Sequence, residues 1–97
     1  MLTHIVVWKY RADVDEATRR DHVDLLRRLE NLLPGIISFK VGLDEIRLPR
    51  SFDTGLVAIF TDRSVLDAYT IHPEHVAVAD FGMTISEHVA SVDFESQ

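Results

Sequence analysis

The chain opens with a segment in which β-branched and aromatic residues dominate. Residues 2–10 (LTHIVVWKY) have the composition that is typical of a strand. Alternation divides them between a face with His4, Val6, Trp8 and Tyr10 and a face with Thr3, Ile5, Val7 and Lys9. Neither face is wholly polar, so we expect both faces to be at least partly covered.

The next segment repeats apolar residues at helical spacing. Asp13 followed by Glu16 resembles a capping box, with Asp in place of the usual Ser or Thr. The apolar positions that follow are separated by charged residues, and they are Val23, Leu26, Leu29, Leu32 and Leu33. Pro34 and Gly35 end the pattern, because proline lacks an amide hydrogen and glycine tolerates the turn. The pattern predicts one long helix that reaches Leu33.

Two strands with a loop between them follow this helix. Residues 36–43 (IISFKVGL) predict a second strand. One face of that strand is expected to carry Ile37, Phe39 and Val41. Residues 44–53 contain Pro49 and scattered charges without a period, so they predict a loop. The uninterrupted apolar run 56–60 (LVAIF) predicts a short strand that is covered on both faces.

A proline interrupts the second helical region. Ser64 followed by Asp67 indicates a helix start. His72 is disfavoured in the α region because it precedes proline, so the helix stops there and Pro73 opens a new segment. The apolar positions are Val65, Leu66 and Tyr69 in the first segment and Val76, Ala79 and Met83 in the second. Residues 89–94 predict the last strand.

The resulting order is β-α-β-β-α-β, which defines the α+β class. It is the ferredoxin-like arrangement, a four-stranded antiparallel sheet with both helices on one face. Residues 1–97 fit a single domain of this kind. The other sheet face would be apolar and bare. A second copy packed sheet to sheet is its natural cover, so we expect a homodimer.

Composition and charge narrow the range of partners. The chain is 46% hydrophobic, which is high for 97 residues and supports self-association. Its net charge of −6, without a compensating basic patch, argues against nucleic acid as a partner. It has no cysteine, which excludes disulfides, thiolate metal sites and a cysteine nucleophile. No segment resembles a signal peptide or a membrane span, which predicts a cytoplasmic protein without a membrane partner.

Side chains suited to proton transfer gather at the helix interruption. Tyr69, His72 and His75 lie within seven residues, and imidazole titrates near neutral pH. The structural alternative is that His72 caps the segment that starts at Pro73, while Tyr69 packs in the core. A metal held by His72, His75 and a carboxylate such as Glu74 matches no established spacing, so we expect neither metal nor cofactor.

The other histidines are isolated in the sequence. His4 shares a strand face with Trp8 and Tyr10, where it is either a hydrogen-bonded core residue or part of a pocket. His22 is expected on a helix surface and His88 at the end of a segment, and neither is given a role.

Together these segments resemble the stress-responsive A/B-barrel family. The similarity spans nearly the whole chain, through residues 4–10 (HIVVWKY), 34–42 (PGIISFKVG), 66–76 (LDAYTIHPEHV) and 92–95 (VDFE). The Tyr-x-x-His-Pro-x-His pattern in the third stretch is the most specific. The resemblance implies a dimeric α/β barrel in which each protomer keeps a pocket between its own sheet and helices.

The resemblance also implies particular site residues. One plant branch of the family folds polyketide chains by aldol condensation without a cofactor, using a His and a Tyr that match His75 and Tyr69. A further pocket histidine of that branch matches His4. The branch carries another histidine on its third strand, where this chain has Thr54 or Gly55. That departure argues against the same substrate.

Three functions are consistent with these residues. The first is a cofactor-independent acid/base catalyst, cyclase- or lyase-like, acting on a small apolar carbonyl compound. In it His75 is the general base, Tyr69 holds or protonates the developing oxyanion, and His4 orients the substrate or relays a proton. The pocket is expected to include His72, Trp8 and Val76 as well. The second is a non-catalytic stress-associated or ligand-binding dimer, and the third is a cofactor-free monooxygenase, by analogy of fold alone.

Overall fold

An antiparallel four-stranded sheet with helices on one face organises the chain. The structure is a computed structural model that describes residues 1–97. Its elements are β1 (Leu2–Tyr10), α1 (Glu16–Arg27), β2 (Ile36–Leu43), β3 (Thr54–Phe60), α2 (Arg63–Ile71), α3 (Pro73–Ile85) and β4 (Ser86–Glu95). The strand order is β2-β3-β1-β4, with every neighbouring pair antiparallel. The predicted ferredoxin-like fold is confirmed, with its second helix divided in two.

Helix α1 is shorter than the apolar pattern predicted. It starts after Asp15, whose carboxylate accepts a hydrogen bond from the amide of Thr18 at 2.8 Å, so the predicted capping box at Asp13 is wrong. It ends at Arg27, not at Leu33. Beyond that point the backbone closes tight three-residue turns, in which the amide of Leu29 bonds to the carbonyl of Leu26. These turns direct Leu29 into the core, where it is 2% exposed.

Helices α2 and α3 meet at the predicted proline break. Asp62, not Ser64, caps α2, because its carboxylate accepts hydrogen bonds from the amides of Ser64 (3.0 Å) and Val65 (3.2 Å). His72 then adopts an extended conformation, and Pro73 is the first residue of α3. None of the three helices is long and apolar enough to cross a membrane.

The buried side of α3 differs from the predicted one. Val76 and Met83 are largely exposed, and the buried residues are Val78, Gly82 and Ile85. Gly82 explains this orientation, since it lets the helix backbone approach the sheet and α1 closely. A Cβ atom at Gly82 would lie only 2.8 Å from Nε2 of His22.

Two strands also depart from prediction. The register of β2 shifts between Ile36 and Ser38, which inserts Ile37 as an extra residue. Ile37 is therefore 54% exposed, and Ile36 packs against the core in its place. Strand β4 runs over Ser86–Glu95, beyond the predicted 89–94, because it pairs with β1 along almost its whole length.

The sheet face opposite the helices is largely apolar, although it also carries Thr3 and Lys40, and no element of the chain covers it. Register places on this outer face Ile5, Val7, Val57, Ile59, Val92 and Phe94. Val57, Val92 and Phe94 are 37%, 53% and 46% exposed. Within one chain β3 is therefore covered on a single face, and the prediction that both its faces are covered requires a partner.

Candidate functional site

A cavity of about 220 Å³ lies between the sheet and the helices. Strands, α1 and the junction of α2 and α3 all contribute to it. Its twelve lining residues are His4, Val6, Trp8, Leu26, Leu56, Tyr69, Thr70, His75, Ala79, Met83, Val89 and Ser91. Thr70, Met83 and Ser91 are exposed, so the cavity opens to solvent where they form its rim. The cavity is apolar except for two imidazoles, a phenol and two hydroxyls.

His75 is held by the junction between α2 and α3. Its Nδ1–H donates a hydrogen bond to the carbonyl of Thr70 at 3.0 Å. This bond fixes the neutral tautomer that leaves Nε2 unprotonated and able to accept a proton. Burial lowers the pKa of His75, aided by the nearby His4 and His72, although the bond to the Thr70 carbonyl opposes the shift. His75 is therefore a neutral base at pH 7.

Tyr69 stands beside His75 at the end of α2. The two ring centroids are 4.4 Å apart, and Tyr69 is only 1% exposed. Phe39 and Phe60 pack against its ring at 6.3 and 5.3 Å and hold it in place. Burial alone raises the pKa of Tyr69 far above its ordinary value, so the hydroxyl stays protonated and acts as a hydrogen-bond donor.

His4 reaches the same cavity from the centre of β1. Its ring lies 6.2 Å from that of Tyr69. Its Nδ1 is hydrogen-bonded to Oδ1 of Asp93, the residue directly opposite on β4. This contact engages Nδ1 and leaves Nε2 as the ring nitrogen that is not bonded to Asp93. Sequence reasoning missed Asp93, because nothing in the sequence specifies the register between β1 and β4.

The predicted site residues do not all converge. His4, Trp8, Tyr69 and His75 line one cavity, whereas His72 and Val76 do not. His72 caps α3, since its Nδ1 accepts a hydrogen bond from the amide of Glu74 at 3.1 Å. Val76 points outward and is 41% exposed. The structure brings together no group of three or more His, Asp or Glu side chains able to hold a metal ion.

His22 lies fully buried, so its predicted position on a helix surface is wrong. Its Nδ1 is 2.7 Å from the hydroxyl of Tyr10, which is also 2.7 Å from Oγ1 of Thr54. The ring meets the indole of Trp8 edge-on at 5.0 Å, and burial lowers the pKa of His22 to about 4. His22 thus supports the cavity wall without lining the cavity. Thr54 belongs to this network, and β3 contributes Leu56 to the cavity instead.

The cavity has no cationic side chain among its lining residues. What it offers is a neutral base at His75, a neutral acid at Tyr69 and an imidazole oriented by a carboxylate at His4. Such a set can polarise a neutral carbonyl and move a proton beside it. It offers no group that would neutralise a bound carboxylate or phosphate.

Fold and cavity together define a class of protein. It is a ferredoxin-like protein with a small apolar pocket between its sheet and its helices, and that pocket contains two imidazoles and a phenol. The sequence model of the Stress responsive A/B Barrel Domain matches residues 2–96. The chain therefore belongs to that family, as its sequence segments indicated. A search of curated proteins found no match.

Solved structures with the same fold include proteins with and without an assigned reaction. A dimeric ferredoxin-like protein of unknown function from Thermobifida fusca has a TM-score of 0.90 and 20% identity, covering 98% of this chain and 90% of that chain. A dimeric protein of unknown function from Bacteroides fragilis has a TM-score of 0.85 and 26% identity, covering 98% of this chain and 95% of that chain. The hydroxynitrile lyase from Passiflora edulis has a TM-score of 0.83 and 17% identity, covering 96% of this chain and 90% of that chain.

Proposed function

We propose that this protein is a cofactor-independent acid/base catalyst acting on a small, neutral carbonyl compound, with cyclase- or lyase-like chemistry. The observation that carries the proposal is the contact between Tyr69 and His75, whose ring centroids are 4.4 Å apart in an apolar cavity. Burial raises the pKa of Tyr69 and lowers that of His75. A proton donor therefore stands beside a proton acceptor at neutral pH.

In the proposed step, Nε2 of His75 takes a proton from the carbon next to the substrate carbonyl. The electron pair of the broken C–H bond forms an enolate, whose oxygen accepts a hydrogen bond from the hydroxyl of Tyr69. His4 orients the substrate or relays the proton. The enolate then takes a proton from the His75 imidazolium, whose own proton has exchanged with solvent, or it attacks a second carbonyl whose new alkoxide takes the His75 proton. The first course exchanges the hydrogen, the second is an aldol closure, and the reverse of the second is a lyase reaction.

The experiment that tests this function is exchange of the α-hydrogens of cyclohexyl methyl ketone in D₂O, followed by proton NMR. We expect exchange above the buffer rate, and general base catalysis of this kind contributes about 10²–10⁴-fold. His75→Ala and Tyr69→Phe should each remove most of the rate. His88→Ala is the matched control, since His88 is exposed on β4 and does not line the cavity. Full exchange in both cavity variants would contradict the assignment.

The non-catalytic alternative draws support from His72. Its bond to the amide of Glu74 gives the His-Pro-x-His segment a purely structural task as a helix cap. A ligand-binding dimer of this kind predicts saturable binding of the ketone without hydrogen exchange, so the same NMR experiment separates it from the catalyst. The monooxygenase alternative predicts oxygen consumption with a quinol-like substrate, and no contact in the cavity favours it.

We also propose that the protein is a homodimer that packs sheet to sheet through the outer face. Val57, Val92 and Phe94 are exposed there on an apolar surface, and a monomer seldom leaves such a surface open. Both relatives from Thermobifida fusca and Bacteroides fragilis are described as dimeric. The cytoplasmic location stays a prediction from the sequence.

A further inference from the structure

The size of the cavity sets a limit on what it can hold. An apolar cavity of about 150 Å³ binds benzene, and this one measures about 220 Å³. The additional volume accommodates a short substituent on one six-membered ring. A second ring or a long alkyl chain would extend past the rim at Thr70, Met83 and Ser91 into solvent.

The two imidazoles and the phenol of the cavity are concentrated at one end. His4, Tyr69 and His75 lie together, and Trp8 is four residues along β1 from His4. At about 3.3 Å per strand residue, that spacing separates the two ends by about 13 Å. Val89 is paired with Trp8 across β1 and β4, and it makes the far end apolar. A ligand with one apolar end and one carbonyl end therefore has a single favourable orientation.

Charge restricts the ligand further. No Lys or Arg lines the cavity, and the carboxylate of Asp93 sits behind His4 at its polar end. Moving a carboxylate out of water into such a site is costly unless a cation pairs with it. Ligands that carry a negative charge are therefore disfavoured, while a neutral ketone or aldehyde can accept a hydrogen bond from the hydroxyl of Tyr69.

From these three limits we infer that the ligand is a neutral carbonyl compound with a single six-membered ring, bound with the ring toward Trp8 and the oxygen toward Tyr69. The inference rests on the proposed function for the identity of the reacting group. It adds that anionic carbonyl compounds and two-ring compounds are disfavoured as ligands. The specificity therefore comes from the dimensions of the cavity and from the absence of a cation in it.

The fluorescence of Trp8 provides an intrinsic probe of ligand binding. Trp8 is the one tryptophan of the chain, and it lines the cavity at 6% exposure, so a ligand there alters its fluorescence. We expect cyclohexyl methyl ketone to give a saturable change. Cyclohexanecarboxylate, which has the same shape but is charged, and dicyclohexyl ketone, which is neutral but has two rings, should each bind at least about tenfold more weakly.

Two alanines of α3 provide matched variants. Ala79 lines the cavity, whereas Ala77 is exposed on the same helix. Ala79→Leu should abolish the fluorescence change by filling the cavity, and Ala77→Leu should preserve it. Circular dichroism checks that both variants fold, and Ala79→Val gives a graded loss if Ala79→Leu does not fold. Unchanged ketone binding in a folded Ala79→Leu or Ala79→Val variant would overturn the inference.

The outcomes also separate this inference from the proposed function. Selective ketone binding without α-hydrogen exchange keeps the ligand class and contradicts catalysis. Exchange of anionic or two-ring ketones at the same rate as cyclohexyl methyl ketone keeps catalysis and contradicts the ligand class. If cyclohexanecarboxylate binds as tightly as the ketone, the inference that the cavity disfavours negatively charged ligands is contradicted.

Discussion

His4 and Asp93 face each other across the antiparallel strands β1 and β4, and Nδ1 of His4 is hydrogen-bonded to the Asp93 carboxylate. They are 89 residues apart in the sequence. Because of this pairing, the two imidazoles of the cavity have different hydrogen-bond partners. His4 is bonded to a carboxylate and His75 to a backbone carbonyl. This difference is the basis of the first prediction.

Asp93→Asn should lower the exchange rate without weakening ketone binding. The amide keeps the shape of the side chain but loses the charge that favours one tautomer and orientation of His4, so we expect a loss of about tenfold in kcat with KM little changed. NMR exchange rates at several ketone concentrations measure both quantities. Glu87→Gln is the control, because Glu87 is exposed on the same strand and does not line the cavity. An equal loss in the control, or a loss confined to KM, contradicts a positioning role.

The rate of exchange should depend on pH through His75. Its pKa lies below the ordinary value of 6.5, so the neutral base is fully present at pH 7 and above. The raised pKa of Tyr69 keeps the phenol protonated at about pH 9. We therefore expect a constant rate between about pH 7 and 9 and a fall in acid that approaches about tenfold per pH unit below the lowered pKa of His75. A rate that already declines between about pH 8 and 7 would exclude His75 as the base.

Buried His22 should make the fold sensitive to acid. Its pKa is lowered to about 4 in the folded chain, against 6.5 as the ordinary value. The unfolded chain therefore binds the proton first, so stability is complete above pH 6.5 and falls as the pH drops toward about 4. The loss is about 3 kcal/mol over that window.

Urea unfolding at one fixed protein concentration, at about pH 7 and pH 4.5, measures this loss. In His22→Gln the free energy of unfolding should fall much less between about pH 7 and pH 4.5. The substitution also lowers stability at pH 7, because it disturbs the hydrogen bond to Tyr10. His88→Gln is the matched control at an exposed histidine and should keep the wild-type decline. The same decline in His22→Gln would show that other groups cause it.

A charge on the outer face should separate the proposed dimer. Val92→Lys places an ammonium group beside Ile5 on the apolar part of the outer face, where burial against a partner is costly. The mass measured by light scattering should then fall from about twice the chain mass of 11.0 kDa to the mass of one chain. Ile71→Lys is the control, since Ile71 is 77% exposed at the end of α2, away from the outer face. A wild-type monomer, or dissociation by both variants, contradicts the sheet-to-sheet interface.

The sequence determined the elements, their order and the neighbourhood of Tyr69 and His75. Strand and helix periods are local properties, and Pro73 forces a break whose geometry depends on adjacent residues alone. For that reason Tyr69 and His75, six positions apart across the break, could be placed together without tertiary information. The break also accounts for the capping role of His72, which the sequence offered as an alternative.

Only the tertiary structure decided which distant groups meet. The bulge at Ile37 moved that residue alone out of the expected face of β2, and the close approach at Gly82 enclosed His22. The pairing of His4 with Asp93 depends on the register between the first and last strands. Register and helix rotation are set by packing over the whole core, because they minimise voids and unpaired polar groups among residues far apart in the chain. The size of the cavity, and with it the ligand class that we propose, follows from that packing.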